Sequence, residues 1–116
     1  MEGRDEPEAT REALQACLAG AGDIVGVYNI GAGHEGVLDV ISTLPAAARP
    51  VVVAHELNAV TRAALEGGLI HAVINQDAGH EIRSAIRVLR SLIDGTPLSA
   101  SQETIRIEIY LRDNLP

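Results

Sequence analysis

The sequence predicts an α/β fold of three layers, αβα, in which a parallel sheet of βα units ends in an edge strand at the carboxyl terminus. Two observations carry that reading. Segments whose apolar residues recur at helical spacing alternate with short apolar runs bounded by glycine, proline or asparagine, the pattern that places helices on the faces of a parallel sheet. Three of the runs are continuous, as strands buried on both faces are, whereas the last alternates apolar with polar residues.

Each element has its own signal. Asp5, Pro7 and Glu8 start a helix over residues 6 to 19, with Ala9, Ala13, Leu14, Cys17 and Leu18 on one stripe and Gly20 and Gly22 as its stop. Residues 24 to 28 form the first strand. Val37, Leu38, Val40, Ile41 and Leu44 give a second helix over 35 to 44, halted by Pro45. Residues 50 to 54 are the second strand, and Asn58 caps a third helix that Gly67 and Gly68 end. Leu69 to Ile74 is the third strand. Asp77 caps the longest helix, residues 79 to 94, whose stripe is Ile82, Ala85, Ile86, Leu89 and Ile93 and whose stop is Gly95 with Pro97. After a polar loop, Thr104 to Leu111 has the alternation of a half-exposed edge strand.

Composition narrows the function classes. The chain has 116 residues, 47% hydrophobic and 22% charged, which describes one globular unit with a modest core. Its net charge is -7, with nine arginines and no lysine, so it offers no basic face for a phosphate backbone. A single cysteine, Cys17, on the buried stripe of the first helix, cannot form an internal disulfide, and no base is positioned to activate it. No signal peptide and no run long enough to cross a bilayer is present, so a cytoplasmic setting is expected. Tyr28 and Tyr110 are the only aromatic residues, and Tyr28 is expected in the core.

The chemistry concentrates where the first strand meets the second helix. Val27-Tyr28-Asn29-Ile30-Gly31-Ala32-Gly33-His34-Glu35-Gly36 contains a GxGxxG string, and Glu56 follows the last glycine by twenty residues. That is the spacing of a dinucleotide site, with the glycines at a pyrophosphate and the acid on a ribose diol. Asn29, however, puts a polar side chain at the end of an apolar strand. Ligands of parallel sheets sit at the carboxyl ends of the strands. Those ends carry Asn29, His55 with Glu56, and Asn75 with Gln76. Adjacent strands lie about 4.8 Å apart, so one small polar ligand can touch all three. Asn29 and Gln76 offer donors and acceptors and Glu56 two acceptor oxygens, a set that suits vicinal hydroxyls.

Val51-Val52-Val53-Ala54-His55-Glu56, the stretch from Leu69 to Gln76, that from Ile82 to Pro97, and the ending Tyr110-Leu111-Arg112-Asp113-Asn114-Leu115-Pro116 resemble the carboxyl-terminal part of LacI-type transcriptional regulators. The similarity covers nearly the whole chain. It implies one lobe, residues 1–116, of a domain of the type I periplasmic-binding-protein fold, in which two lobes close over a sugar-like effector. Asn29, Glu56 and Gln76 match the family's hydroxyl-contacting positions, with Gly31 and His55 as weaker candidates. The family's Asn is often followed by Asp, where this chain has Ile30, and its acid is commonly Asp, where this chain has Glu56. The resemblance further implies a non-enzyme without catalytic residues, metal or cofactor, a homodimer, no membrane, and DNA bound only through a helix-turn-helix headpiece that the chain lacks. The helix of residues 79 to 94 would pack on the amino-terminal lobe. Deprived of it, the stripe Ile82, Ile86, Leu89 and Ile93 is expected to repack on its own lobe or on another copy, since burying each side chain is worth about 1.5 to 3 kcal/mol. Two alternatives stand beside this reading: a Rossmann-type dinucleotide-binding fragment of an oxidoreductase, and the periplasmic sugar-binding protein of an ABC transporter.

Of the histidines, His34 lies at the start of the second helix and His55 immediately before Glu56, but no HxH, HxxxH or cysteine spacing supports a metal site built from them with Glu56. His55 is read as a loop residue without a role, or as one that orients Glu56 or lines the cleft. His71 and His80 are read as structural or exposed.

Overall fold

The computed structural model describes residues 1–20 and 23–116. In chain order the elements are α1 (Pro7–Gly20), β1 (Gly26–Asn29), α2 (His34–Thr43), β2 (Val51–His55), α3 (Ala59–Glu66), β3 (Ala72–Gln76), α4 (Ala78–Asp94), α5 (Ala100–Glu103) and β4 (Ile107–Tyr110), with short 3-10 turns at Ala46–Ala48 and Arg112–Asn114. Two compact units divide the chain. The first is Met1–Ile74 with Ile109–Pro116, and the second is Asn75–Glu108. Gly22, expected to help stop the first helix, lies outside the described residues.

The sheet order is β1-β2-β3-β4, with β1 parallel to β2 and β2 parallel to β3. Tyr28 stands opposite Val53 and Asn29 opposite Ala54, while His55 stands opposite Ile74. This is the α/β class expected, with β4 at the edge. Both crossovers step the same way across the sheet, so right-handedness puts α2 and α3 on one face. Leu14 from α1, Val37, Val40 and Ile41 from α2, and Ala64 and Leu65 from α3 meet Val27, Val52, Ala54 and Val73 there, and this is the core of the first unit.

Strand burial differs from the expectation of two covered faces. In β1, Val27 is buried but Tyr28 is 53% exposed; in β2, Val52 and Ala54 are buried while Val51 is exposed. Successive side chains point to opposite faces. In the first unit only the helix-bearing face is covered, which is why Tyr28 is not in the core. β4 is exposed along Ile107, Glu108 and Ile109, and only Tyr110 at its end packs against the core.

The caps follow local chemistry. The Asn58 side chain accepts from the N–H groups of Val60 and Thr61, at 2.9 and 3.0 Å, and the Thr61 hydroxyl accepts from the Asn58 N–H at 2.9 Å. Asp77 accepts from the His80 N–H at 2.8 Å, and Gly95 ends α4 in the left-handed conformation. Gly36 answers a packing need: a Cβ there would lie 2.0 Å from the Pro7 carbonyl oxygen, so α1 crosses α2 closer than any side chain allows.

Within the second unit α4 uses its polar side. Ser84 is buried and bonds Glu103, and Arg87 donates two hydrogen bonds to the same carboxylate, at 2.7 and 2.9 Å. Arg87 and Ser84 hold the Glu103 carboxyl below its ordinary range. On the single chain the stripe is uncovered: Ile82, Ile86, Leu89 and Ile93 are 52 to 83% exposed. Charge-assisted bonds to Glu103 fix the rotation of the helix and turn its apolar side outward.

Candidate functional site

The carboxyl ends of β1 and β2 share one open depression, lined by Asp5, Ile30, Gly31, His34, Glu56 and Asn58 among others. Asn29 ends β1 because the chain must leave the sheet there and turn into α2. Gly33 makes that turn at φ 83°, a conformation an L side chain rarely adopts. α2 then begins with His34, and no side chain of Gly33 exists to cap it. Asp5 reaches across instead: its Oδ1 accepts from the Ala32 N–H at 2.9 Å. The turn thus already carries a carboxylate, and that N–H is not presented to a pyrophosphate.

The Asn29 amide is tied down on one side. Its Nδ2 lies 3.1 Å from the Gly31 carbonyl, 3.4 Å from that of Ala32 and 2.9 Å from His34 Nδ1. Carbonyl oxygens only accept, so the atom facing them is the NH₂ group, and a ring nitrogen facing an N–H must be the unprotonated one. His34 is 7% exposed. Burial lowers its pKa, against the opposing pull of Glu35, Glu56 and a bond to the His55 backbone, so the ring is neutral at neutral pH.

Glu56 directly follows β2 and stands in the left-handed region at φ 67°. For a residue with a Cβ this costs on the order of 1 to 2 kcal/mol. Two bonds hold it there: its N–H donates to the Ile74 carbonyl at 2.8 Å, and its carbonyl accepts from the Thr61 hydroxyl at 2.7 Å. The backbone is fixed while the side chain is exposed, so the carboxylate stands at the depression's rim.

Of the predicted residues, Asn29, Gly31, His55 and Glu56 therefore fall at the strand ends of the first unit. Gln76 is the exposed last residue of β3 and belongs to the second unit. His55 does not orient Glu56; it pairs through Nε2 with the Tyr28 hydroxyl, the ring centroids 5.4 Å apart. Sequence reasoning missed Asp5 and His34 as site residues. The signal for His34 is its place five residues after Asn29, across a turn made by glycine. Among the described residues no three His, Cys, Asp or Glu side chains are grouped to hold a metal ion, and no helix is long and apolar enough to cross a membrane.

Similar proteins of known structure share this architecture. GanP, a glucose-galactose binding protein from Geobacillus stearothermophilus, superposes with a TM-score of 0.86 at 16% identity, over 99% of this chain and 41% of its own. The sugar-binding protein of a sugar ABC transporter from Bacillus halodurans gives 0.77 at 19% identity, over 97% of this chain and 42% of its own. A carbohydrate transporter solute binding protein from Agrobacterium radiobacter, in complex with D-arabinose, gives 0.77 at 16%, over 94% and 37%. The chain thus spans about two fifths of the length of these structures. No curated protein matches it. The family model described as a periplasmic binding protein domain matches residues 1–97. By that match the chain belongs to the periplasmic binding protein domain family.

Proposed function

We propose that this chain is one lobe of a sugar-binding protein that serves a transporter, with Asn29, Glu56 and Gln76 contacting ligand hydroxyls and Gly31 and His55 at the margin of the site. The observation that carries the reading is the pair of acceptors at neighbouring strand ends. Asn29 has its Oδ1 left over once its NH₂ is engaged, and Glu56 offers a carboxylate on a fixed backbone at the end of the neighbouring strand. Hydroxyl donors satisfy both, and a carboxylate takes two adjacent ones. The named partners of the similar structures, glucose and galactose in one and D-arabinose in another, support the ligand class. In this reading a second lobe completes the cleft and covers the apolar stripe of α4. The protein works without catalysis, cofactor or DNA, by closing on its sugar.

A second reading rests on the resemblance of the ending Arg112 to Pro116 to that of LacI-type regulators. It makes the same lobe the effector sensor of a cytoplasmic, dimeric LacI-type regulator.

Calorimetric titration of the full-length polypeptide with D-glucose, D-galactose and D-arabinose tests the ligand class. One of them binds, and Glu56→Ala removes that binding while the circular dichroism spectrum stays native. Absence of binding by all three, or unchanged affinity in the variant, refutes the reading. A sugar-dependent shift of bound operator-like DNA in the same preparation decides for the regulator.

A further inference from the structure

Asn29 has three partners on its own chain, and their chemistry leaves it one orientation. The NH₂ group faces two carbonyls and a ring nitrogen, at 2.9 to 3.4 Å. Turning the amide over would set its Oδ1 against the Gly31 and Ala32 oxygens. Ring Nδ1 is the member of the set that can change character, because a protonated imidazole donates from both nitrogens. The ring would then meet NH₂ donor to donor, and flipping the amide to relieve that would put oxygen against two carbonyls. Neither orientation satisfies the charged ring.

We infer that His34 is a positioning residue that holds the Asn29 amide with its Oδ1 turned to ligand, so that this strand end reads hydroxyl donors only while the His34 ring is neutral. The inference rests on the sugar-binding reading for its ligand, but the amide orientation stands on the first unit alone. The titratable and charged groups near the ring are Glu35 on its own helix, His55 at the end of β2 with Glu56 after it, and Asp5 on the segment that lines the same depression. Arg11 and Glu8 of α1 are paired with each other. The sign follows from the tautomer. Ligand binds the neutral-ring form, so affinity is complete above the His34 pKa and is lost as pH falls through it. Burial places that titration below the ordinary histidine range, and the first residue of a helix is likewise an unfavourable place for a cation.

Two measurements on the full chain test this. Long-range proton–nitrogen NMR spectra report the tautomer: His34 carries its proton on Nε2 with Nδ1 bare, and the Asn29 side-chain amide protons exchange slowly. On acidification both sets of signals move with one midpoint. His34→Gln, whose Oε1 still accepts from the amide, keeps the Asn29 signals and abolishes their pH dependence, whereas His34→Leu loses their protection. A ring protonated on Nδ1, separate midpoints, or Asn29 signals indifferent to His34→Leu overturns the inference. The second measurement is titration with whichever of D-glucose, D-galactose and D-arabinose binds. Wild-type affinity falls about tenfold, the scale of one hydrogen bond, on acidification through the His34 titration, and His34→Gln flattens the profile. An equal pH profile in the two proteins overturns the inference. If no sugar binds, the functional reading falls, and the NMR result alone decides the role of His34.

Discussion

Replacing Gly36 by alanine sets two well-known effects against each other with opposite signs. Gly36 is the third residue of α2, and alanine in a helix is favoured over glycine by about 1 kcal/mol. On propensity alone Gly36→Ala stabilises the protein. Its Cβ, however, would stand 2.0 Å from the Pro7 carbonyl oxygen, 2.9 Å from the Pro7 carbonyl carbon and 3.0 Å from the Arg11 nitrogen. All three are main-chain atoms of α1, so no side chain can rotate away. The first turn of α1 must retreat by roughly 1 Å or more to restore an ordinary contact near 3.5 Å. That retreat loosens Thr10 and Leu14, each 2% exposed. Overpacking of this kind costs about 1 to 3 kcal/mol and occasionally more, which outweighs the propensity gain. The expected outcome is a net loss of up to about 2 kcal/mol, or a fall in Tm of up to several degrees for a domain of this size. Urea unfolding followed by circular dichroism measures it. A stabilised or unchanged Gly36→Ala protein refutes the close crossing of α1 and α2.

Three further outcomes are expected. Glu56→Gly removes the left-handed strain and stabilises the lobe by about 1 kcal/mol, while sugar binding is lost; thermal melts and titration calorimetry on the one variant read both effects. Thr61→Val keeps shape but deletes the hydroxyl that bonds the Glu56 carbonyl and the Asn58 N–H. Thr61 is fully buried, so the loss is about 1 to 3 kcal/mol by urea unfolding. Glu103 has its carboxyl pKa depressed by Arg87 and Ser84, so the contribution of that contact is present above the usual 4.5 and is lost as pH falls through the lower folded value. Helical signal from the second unit therefore declines on acidification in the wild type, and Glu103→Gln shows the loss already at neutral pH. An acid profile unchanged by the substitution removes the contact from the account.

Element positions were legible where the signal is local. Asn58, Asp77 and Gly95 act within one helical turn of their own backbone, and each caps as its residue type predicts. β1 and β2 lie one or two residues later than expected, β3 starts three residues later and ends two later, so Gln76 belongs to the strand itself, and β4 starts three residues later. Helix α5 was read as loop because four residues cannot display a helical period. Tyr28 was misplaced because a continuous apolar run implies two covered faces, and the first unit covers one. The contacts that build the site were less visible. Asp5 meets Ala32 across 27 residues, and the Tyr28–His55 pair spans the same separation. Asn29 and His34 are near in sequence, yet only the Gly33 turn makes them neighbours in space. The left-handed φ of Glu56 has no compositional sign, since it is imposed by Ile74 and Thr61 from two other elements.

Those hidden contacts decide what the glycine-rich junction can read. A pyrophosphate needs backbone N–H groups and a surrounding of low negative charge. Here Asp5 has taken the Ala32 N–H, Asn29 turns its NH₂ inward to Gly31 and His34, and Glu56 adds a carboxylate, all on a chain of net charge -7. Asp5 and Glu56, the members of this set that line the depression, are both carboxylates. Two carboxylates at one depression disfavour phosphate and carboxylate ligands. The same glycine string that permits a phosphate cradle in one context is closed to it in this one by a single aspartate 27 residues away, and the polarity of the site follows from which way one amide is held.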